Sequence, residues 1–272
     1  MRFPGPELPR FAIATALVAL VAIAAGALMT SGFAGTALLF RARPHSLLAI
    51  LSGAMAAVLL VWLIPSNTPV WVRSTGGVAL GLFAADTLLA VVTQTRPLPI
   101  ALSVAHACVA PLFFSALVVV AAYTWPGWED TPEPIDLHAY PFIAQLADAA
   151  PWLTLLQIGM GAAYRHKAMS VMPHVAGAML VALPLLIVSV LLLQQFPKHP
   201  TVPALAISTM TILLLQVSLG IGTFVMRLLD FDMTPGFAYL AAAHLCAGAL
   251  TLAASVIICI EVRRCRPRTI SL

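Results

Sequence analysis

Charge is what this sequence has least of. Only 24 of its 272 side chains are Asp, Glu, Lys or Arg, 9% of the chain. A soluble globular domain carries about a quarter, so a water-soluble fold is excluded. The four cysteines, Cys108, Cys246, Cys259 and Cys265, make no Cys-x-x-Cys pair. Three of them lie inside or at the end of apolar windows, where a small apolar role is the default, and no disulfide framework is implied. The alternation over about 10 residues that marks a membrane β-barrel strand is missing as well. The stretch from Phe11 to Phe40 runs uncharged throughout. That is far longer than the roughly 7–15 residues of a signal-peptide core.

What remains is long apolar runs. Eight windows, 11–40, 46–64, 74–95, 97–123, 142–164, 168–196, 201–226 and 233–260, hold most of the 61% apolar residues and only two acids, Asp86 and Asp148. Each meets or approaches the roughly 20 residues that cross about 30 Å of hydrocarbon as a helix. The predicted fold class is an all-α integral membrane protein with eight transmembrane helices. The formal charge of +4 comes largely from a tail, Glu261-Val262-Arg263-Arg264-Cys265-Arg266-Pro267-Arg268. A basic segment directly after a membrane helix reads as a contact to anionic cytoplasmic lipid, not to nucleic acid.

Eight spans place both termini on one side. With the termini cytoplasmic, the inside holds Arg2, Arg10, Arg73, Lys198, Arg263, Arg264, Arg266 and Arg268, and the outside holds Arg41, Arg43, Arg96, Arg165, Lys167 and Arg227. The tail cluster favours this orientation under the positive-inside rule. Asp230 and Asp232 only partly offset the outer cations, so something anionic is expected at the outer face.

The chain also repeats itself, as many polytopic membrane proteins do. His106-Ala107-Cys108 is echoed by His244-Leu245-Cys246, and windows two and six open on His45 and His174. Leu155-Leu156-Gln157-Ile158-Gly159-Met160-Gly161 leads to Arg165, and Leu214-Leu215-Gln216-Val217-Ser218-Leu219-Gly220-Ile221-Gly222 leads to Arg227. The small residues there are expected to serve close helix packing. The chain thus reads as two homologous four-helix bundles, 1–125 and 138–264, joined by a proline-rich acidic linker over 126–137 and followed by the basic tail 265–272. The linker, Trp125-Pro126-Gly127-Trp128-Glu129-Asp130-Thr131-Pro132-Glu133-Pro134 at its start, cannot be helical throughout.

Four of the seven histidines, His45, His106, His174 and His244, fall at the predicted outer end of every even-numbered helix. An ionisable group in hydrocarbon is costly unless partnered, which makes it a functional candidate. Facing imidazoles in a four-helix bundle suit haem iron, whereas neither half offers the carboxylate or thiolate set of a zinc or di-iron centre. Each histidine follows an outer arginine: Arg41 and Arg43 before His45, Arg96 before His106, Arg165 before His174, Arg227 before His244. Guanidinium groups there suit anionic haem propionates. His166 is a further candidate for a propionate. His138 and His199 are expected in solvated loops, Asp86 as a buried carboxylate either bonded to a neighbouring helix or moving protons, and Asp148 at the interface.

Taken together, Gln157 through His166, then His174-Val175-Ala176-Gly177-Ala178, and His106-Ala107-Cys108-Val109-Ala110-Pro111-Leu112-Phe113-Phe114 resemble the haem A synthase family of cytochrome oxidase assembly proteins. The resemblance covers about 97 to 262. It implies a haem B cofactor on His174 and His244, with Arg165 and Arg227 beside it. It also implies a substrate haem O at His45 and His106, with Arg41 and Arg96, whose C8 methyl is oxidised to a formyl by successive monooxygenation. It further implies the bacterial plasma (inner) membrane as location and the cytochrome oxidase assembly machinery as partner, and it is compatible with a homo-oligomer. The chain departs from the family where Ala42 stands three residues before His45 in place of a glutamate. A non-catalytic haem carrier or assembly factor, and a cytochrome b-like electron-transfer protein, therefore stay open. A cytochrome c maturation role resting on Trp125, Trp128 and Asp130 is a further alternative, disfavoured by their cytoplasmic placement.

Overall fold

The computed structural model describes residues 5–30, 42–95, 100–128, 133–137 and 140–266. Among them are eight helices and no strand: α1 Glu7–Met29, α2 Ala42–Leu63, α3 Val70–Thr95, α4 Ile100–Thr124, α5 Pro141–Arg165, α6 Val171–Gln195, α7 Val202–Leu228 and α8 Pro235–Arg264. Their starts follow sequence chemistry. Pro141, Pro203 and Pro235 sit in first turns, where a missing N–H costs nothing. The Thr234 hydroxyl accepts from the Phe237 N–H to cap α8.

One expectation is corrected. The first window does not form one helix from 11 to 40: α1 ends at Met29, and residues 31–41 lie outside the described residues. Of the eight helices, seven are long and apolar enough to cross a membrane, and α5 is not among them. Gln145, Asp148, Pro151 and Gln157 dilute its apolar run.

A multi-pass membrane protein has to hide polar groups and show apolar ones. Both are visible. Hydroxyls inside the helices turn back onto carbonyls of their own helix, as with Thr15 on Phe11, Ser115 on Pro111, Thr154 on Ala150 and Thr251 on Ala247, each at 2.8 Å. Large apolar side chains such as Leu47, Val61, Trp152 and Met179 point outward.

Helix contacts follow chain order. α1 packs on α2 and α4, α2 on α3, and α3 on α4; α5 packs on α6 and α8, α6 on α7, and α7 on α8. The two sets meet where α4 touches α5 and α8 and where α1 touches α8. Alanine faces make this possible: Ala12, Ala16 and Ala19 of α1 share one core with Leu117 and Val120 of α4 and Ala249 and Ala253 of α8. Ala27 and Leu28 at the end of α1 meet Ala238 and Ala242 at the start of α8, so these helices are antiparallel.

At the end holding the start of α1 and the end of α8, a polar knot ties the sets together. Glu261, buried in α8, accepts from Tyr123 Oη at 3.2 Å, Thr201 Oγ1 at 2.8 Å and Arg264 Nη1 at 3.1 Å. Arg264 lies over the Tyr123 ring and donates to the Trp128 carbonyl. Asp148 pairs with Arg263 at 2.8 Å and with Arg266 at 3.6 Å. His199 was expected in solvent and is instead buried. Its Nδ1 accepts from the Thr201 and Val202 N–H groups, each at 3.3 Å, and its Nε2 donates to the Glu133 carbonyl at 3.0 Å. This imidazole fastens the linker to the start of α7. His138 and residues 129–132 lie outside the described residues.

Candidate functional site: histidines at one end of the helices

The four singled-out histidines stand near the start of the even helices, at the end away from the Glu261 knot: His45 in α2, His106 in α4, His174 in α6 and His244 in α8. Each ring reaches back to the helix that precedes its own. His45 Nδ1 lies 2.9 Å from the Ala22 carbonyl of α1, and His244 Nδ1 lies 3.1 Å from the Gln216 carbonyl of α7. A carbonyl only accepts, so at both rings Nδ1 carries the proton and Nε2 keeps its lone pair. At His174 the corresponding residue of α5 is Gln157. Its main-chain carbonyl is within reach of the ring, its Nε2 lies 3.0 Å from Nδ1, and that Nε2 donates to the His174 carbonyl at 2.7 Å. At His106 the residue is Asp86 of α3, whose Oδ1 lies 2.9 Å from Nδ1.

Glycine makes three of these approaches possible. One helical turn after the anchoring residue come Gly26, Gly161 and Gly220, and a Cβ there would meet Cε1 of His45, His174 and His244 at 2.9, 2.8 and 2.9 Å. No real Cβ comes that close, so each imidazole lies flat against a helix only because the side chain is missing. The glycines at 161 and 220 were expected merely to pack helices, and Gly26 drew no notice; all three seat a histidine. The signal was available as a residue whose carbonyl is used, followed four positions later by glycine. It is readable only once the helices are paired.

His174 and His244 are brought together, with ring centroids 6.2 Å apart and planes at 85°. Arg165 and Arg227 stand at the same end with protein partners. Arg165 donates to the Ala27 carbonyl and to Thr30 Oγ1, satisfying the open C-terminus of α1. Arg227 lies over the Tyr164 ring, 5.2 Å from its centroid. Burial first, then the Arg165 guanidinium and His106, hold His166 below the usual histidine range, so it is neutral near pH 7. Arg41 and Arg96 lie outside the described residues, and nothing is described of the Arg43 side chain. An apolar groove on α4 and α5, lined by residues including Cys108, Trp152, Gly159 and Met160, contains none of the histidines.

Among the described residues no three His, Cys, Asp or Glu converge as ligands for a bare metal ion. What the arrangement offers is one pair of facing imidazoles, His174 and His244, and two more, His45 and His106, which are anchored from behind at the same end but are not shown to face each other. These features define a helical multi-pass membrane protein with a histidine-bearing end. No model of a known protein family matches the chain, and no curated protein matches it.

Proposed function

We propose that this protein is a haem-binding membrane oxidoreductase of the haem A synthase type, built as two homologous four-helix bundles, 1–125 and 138–264. Haem B is its cofactor on His174 and His244, and haem O is its substrate at His45 and His106. The observation that carries the reading is the pair of rings 6.2 Å apart, together with the backward anchoring repeated at all four histidines. Two imidazole nitrogens each about 2 Å from one shared metal place ring centres about 6 Å apart. Two ligands and no carboxylate or thiolate set suit a macrocycle that supplies the other four donors itself.

In that reading a bound haem supplies one-electron and oxygen chemistry. The chain's own part is to hold and to orient. The Ala22 and Gln216 carbonyls fix the Nδ1 proton of His45 and His244, so that each presents Nε2. Gly26, Gly161 and Gly220 set the ring depth. In this reading Arg165 and Arg227, at the same end, are the cations that would meet propionates, Arg165 in exchange for its contacts to the end of α1. The location that goes with this reading is the bacterial plasma (inner) membrane with both termini cytoplasmic.

A non-catalytic haem carrier or electron-transfer cytochrome is the second reading, favoured by Ala42 where the resembled family has a glutamate. The deciding experiment is haem extraction with a pyridine haemochrome spectrum on protein purified from cells with and without a haem O source. Haem B accompanied by haem O or haem A supports the synthase. Haem B alone supports the second reading, and protein free of haem refutes both.

A further inference from the structure

The four anchoring positions are equivalent in geometry but not in chemistry. They are Ala22, Asp86, Gln157 and Gln216, one on each odd helix and each facing the histidine of the next helix. Asp86 is the only acid between Glu7 and Glu129. It sits well inside α3, at a depth where a carboxylate is expensive unless it does something. Its Oδ1 and His106 Nδ1 are sealed from solvent and 2.9 Å apart, and its main-chain carbonyl is also in reach of the ring. Where the other three rings meet carbonyl or amide groups, His106 meets a carboxyl side chain as well. Asp86 is followed four residues later by Ala90, not glycine, so α3 also lacks the bare seat that the other three odd helices provide.

We infer that Asp86 is a positioning residue that acts through His106. It makes that imidazole the most electron-donating of the four, since Ala22, Gln157 and Gln216 put no carboxylate against the other three rings. A histidine backed by a carboxylate is a more basic ligand than one backed by a carbonyl. An iron held by His106 is therefore stabilised in its oxidised state relative to one held by His174 and His244. Electron donation of this kind is what a thiolate ligand provides, more strongly, in cysteine-ligated haem monooxygenases. The inference rests on the haem reading above.

The test uses the full-length protein loaded with haem and titrated potentiometrically at the Soret band. His174→Ala serves as the background that empties the carboxy-terminal pair. In that background Asp86→Asn is expected to raise the midpoint potential of the remaining haem, and Asp86→Glu to restore part of the shift. With His174 intact, only one of two redox waves moves. Haem bound with an unmoved midpoint overturns the role of Asp86 alone; wild-type protein that takes up no haem overturns the haem reading and this inference with it. A second measurement needs no variant to fold. Haem-free wild-type protein carrying ring-15N histidine is expected to show one Nδ1 proton far downfield of the others, as a carboxylate partner produces, and Nδ1 protons of uniform shift overturn the inference.

Discussion

Adding one methyl group at Gly161 tests the seating of His174 directly. A Cβ at that position would lie 2.8 Å from Cε1 of the ring, and ordinary contact begins near 3.4 Å, so ring or helix must retreat by about 0.6 Å. The retreat stretches the contacts to Gln157 and disturbs the 6.2 Å spacing to His244. Outer-shell partners of metal-bound histidines typically matter by about 10–100-fold in affinity, and Gly161→Ala is expected to weaken haem binding by that amount. Helix propensity works the other way, since alanine in a helix interior is favoured over glycine by about 1 kcal/mol, so a simple loss of fold is not the expected cause. The control is Gly77→Ala in α3, where a Cβ meets nothing within 4 Å. Haem titration followed at the Soret band, alongside thermal unfolding in detergent, separates the two effects. Unchanged affinity in Gly161→Ala, or an equal fall in Gly77→Ala, would refute the reasoning.

Under the haem reading proposed above, His174→Ala and His244→Ala should each remove the same haem, because either one deletes a residue that would hold it. A bis-histidine spectrum retained in both variants would sink that assignment. Glu261→Ala leaves Arg264 without its carboxylate and Tyr123 without its acceptor at a buried site, and is expected to cost about 3 kcal/mol. The melting temperature should drop while haem absorption is unaltered, since the knot lies at the far end of the helices; altered haem spectra would contradict that separation. The Cys265 thiol is pushed up to about 12 by burial and then by Glu261, so it should resist maleimide at pH 8 until the protein is unfolded. Its proton is held more tightly folded than unfolded. Stability linked to this group is therefore complete below about pH 9 and lost as pH rises towards 12, which a pH series of unfolding curves would reveal.

Membrane character was legible because it is a property of runs. Scarce charge and windows of 20 or more apolar residues report their solvent whatever they pack against. Candidate histidines were legible for a related reason: a polar ring at the start of an apolar helix has no bland explanation four times over. The misreadings were of context. Residues 11–40 look continuous because composition does not record where a helix stops, yet α1 ends at Met29. His199 reads as a solvated residue until Glu133, Thr201 and Val202 converge on it. Gly161 and Gly220 read as packing glycines because their neighbours in space, His174 and His244, are 13 and 24 residues away in the chain.

The sequence by itself determined that this chain is helical, that its helices are apolar enough for lipid, and that four histidines recur at the starts of alternate helices. Those conclusions follow from hydrophobicity and period, which are local. Tertiary structure alone decided which helix stands behind each imidazole, and hence which ring atom is held and which is offered. It alone showed that Asp86, among four equivalent anchors, puts a carboxylate against a histidine. A hydrogen bond depends on a few tenths of an ångström between segments far apart in the chain, and only the packing of one helix against another fixes such a distance.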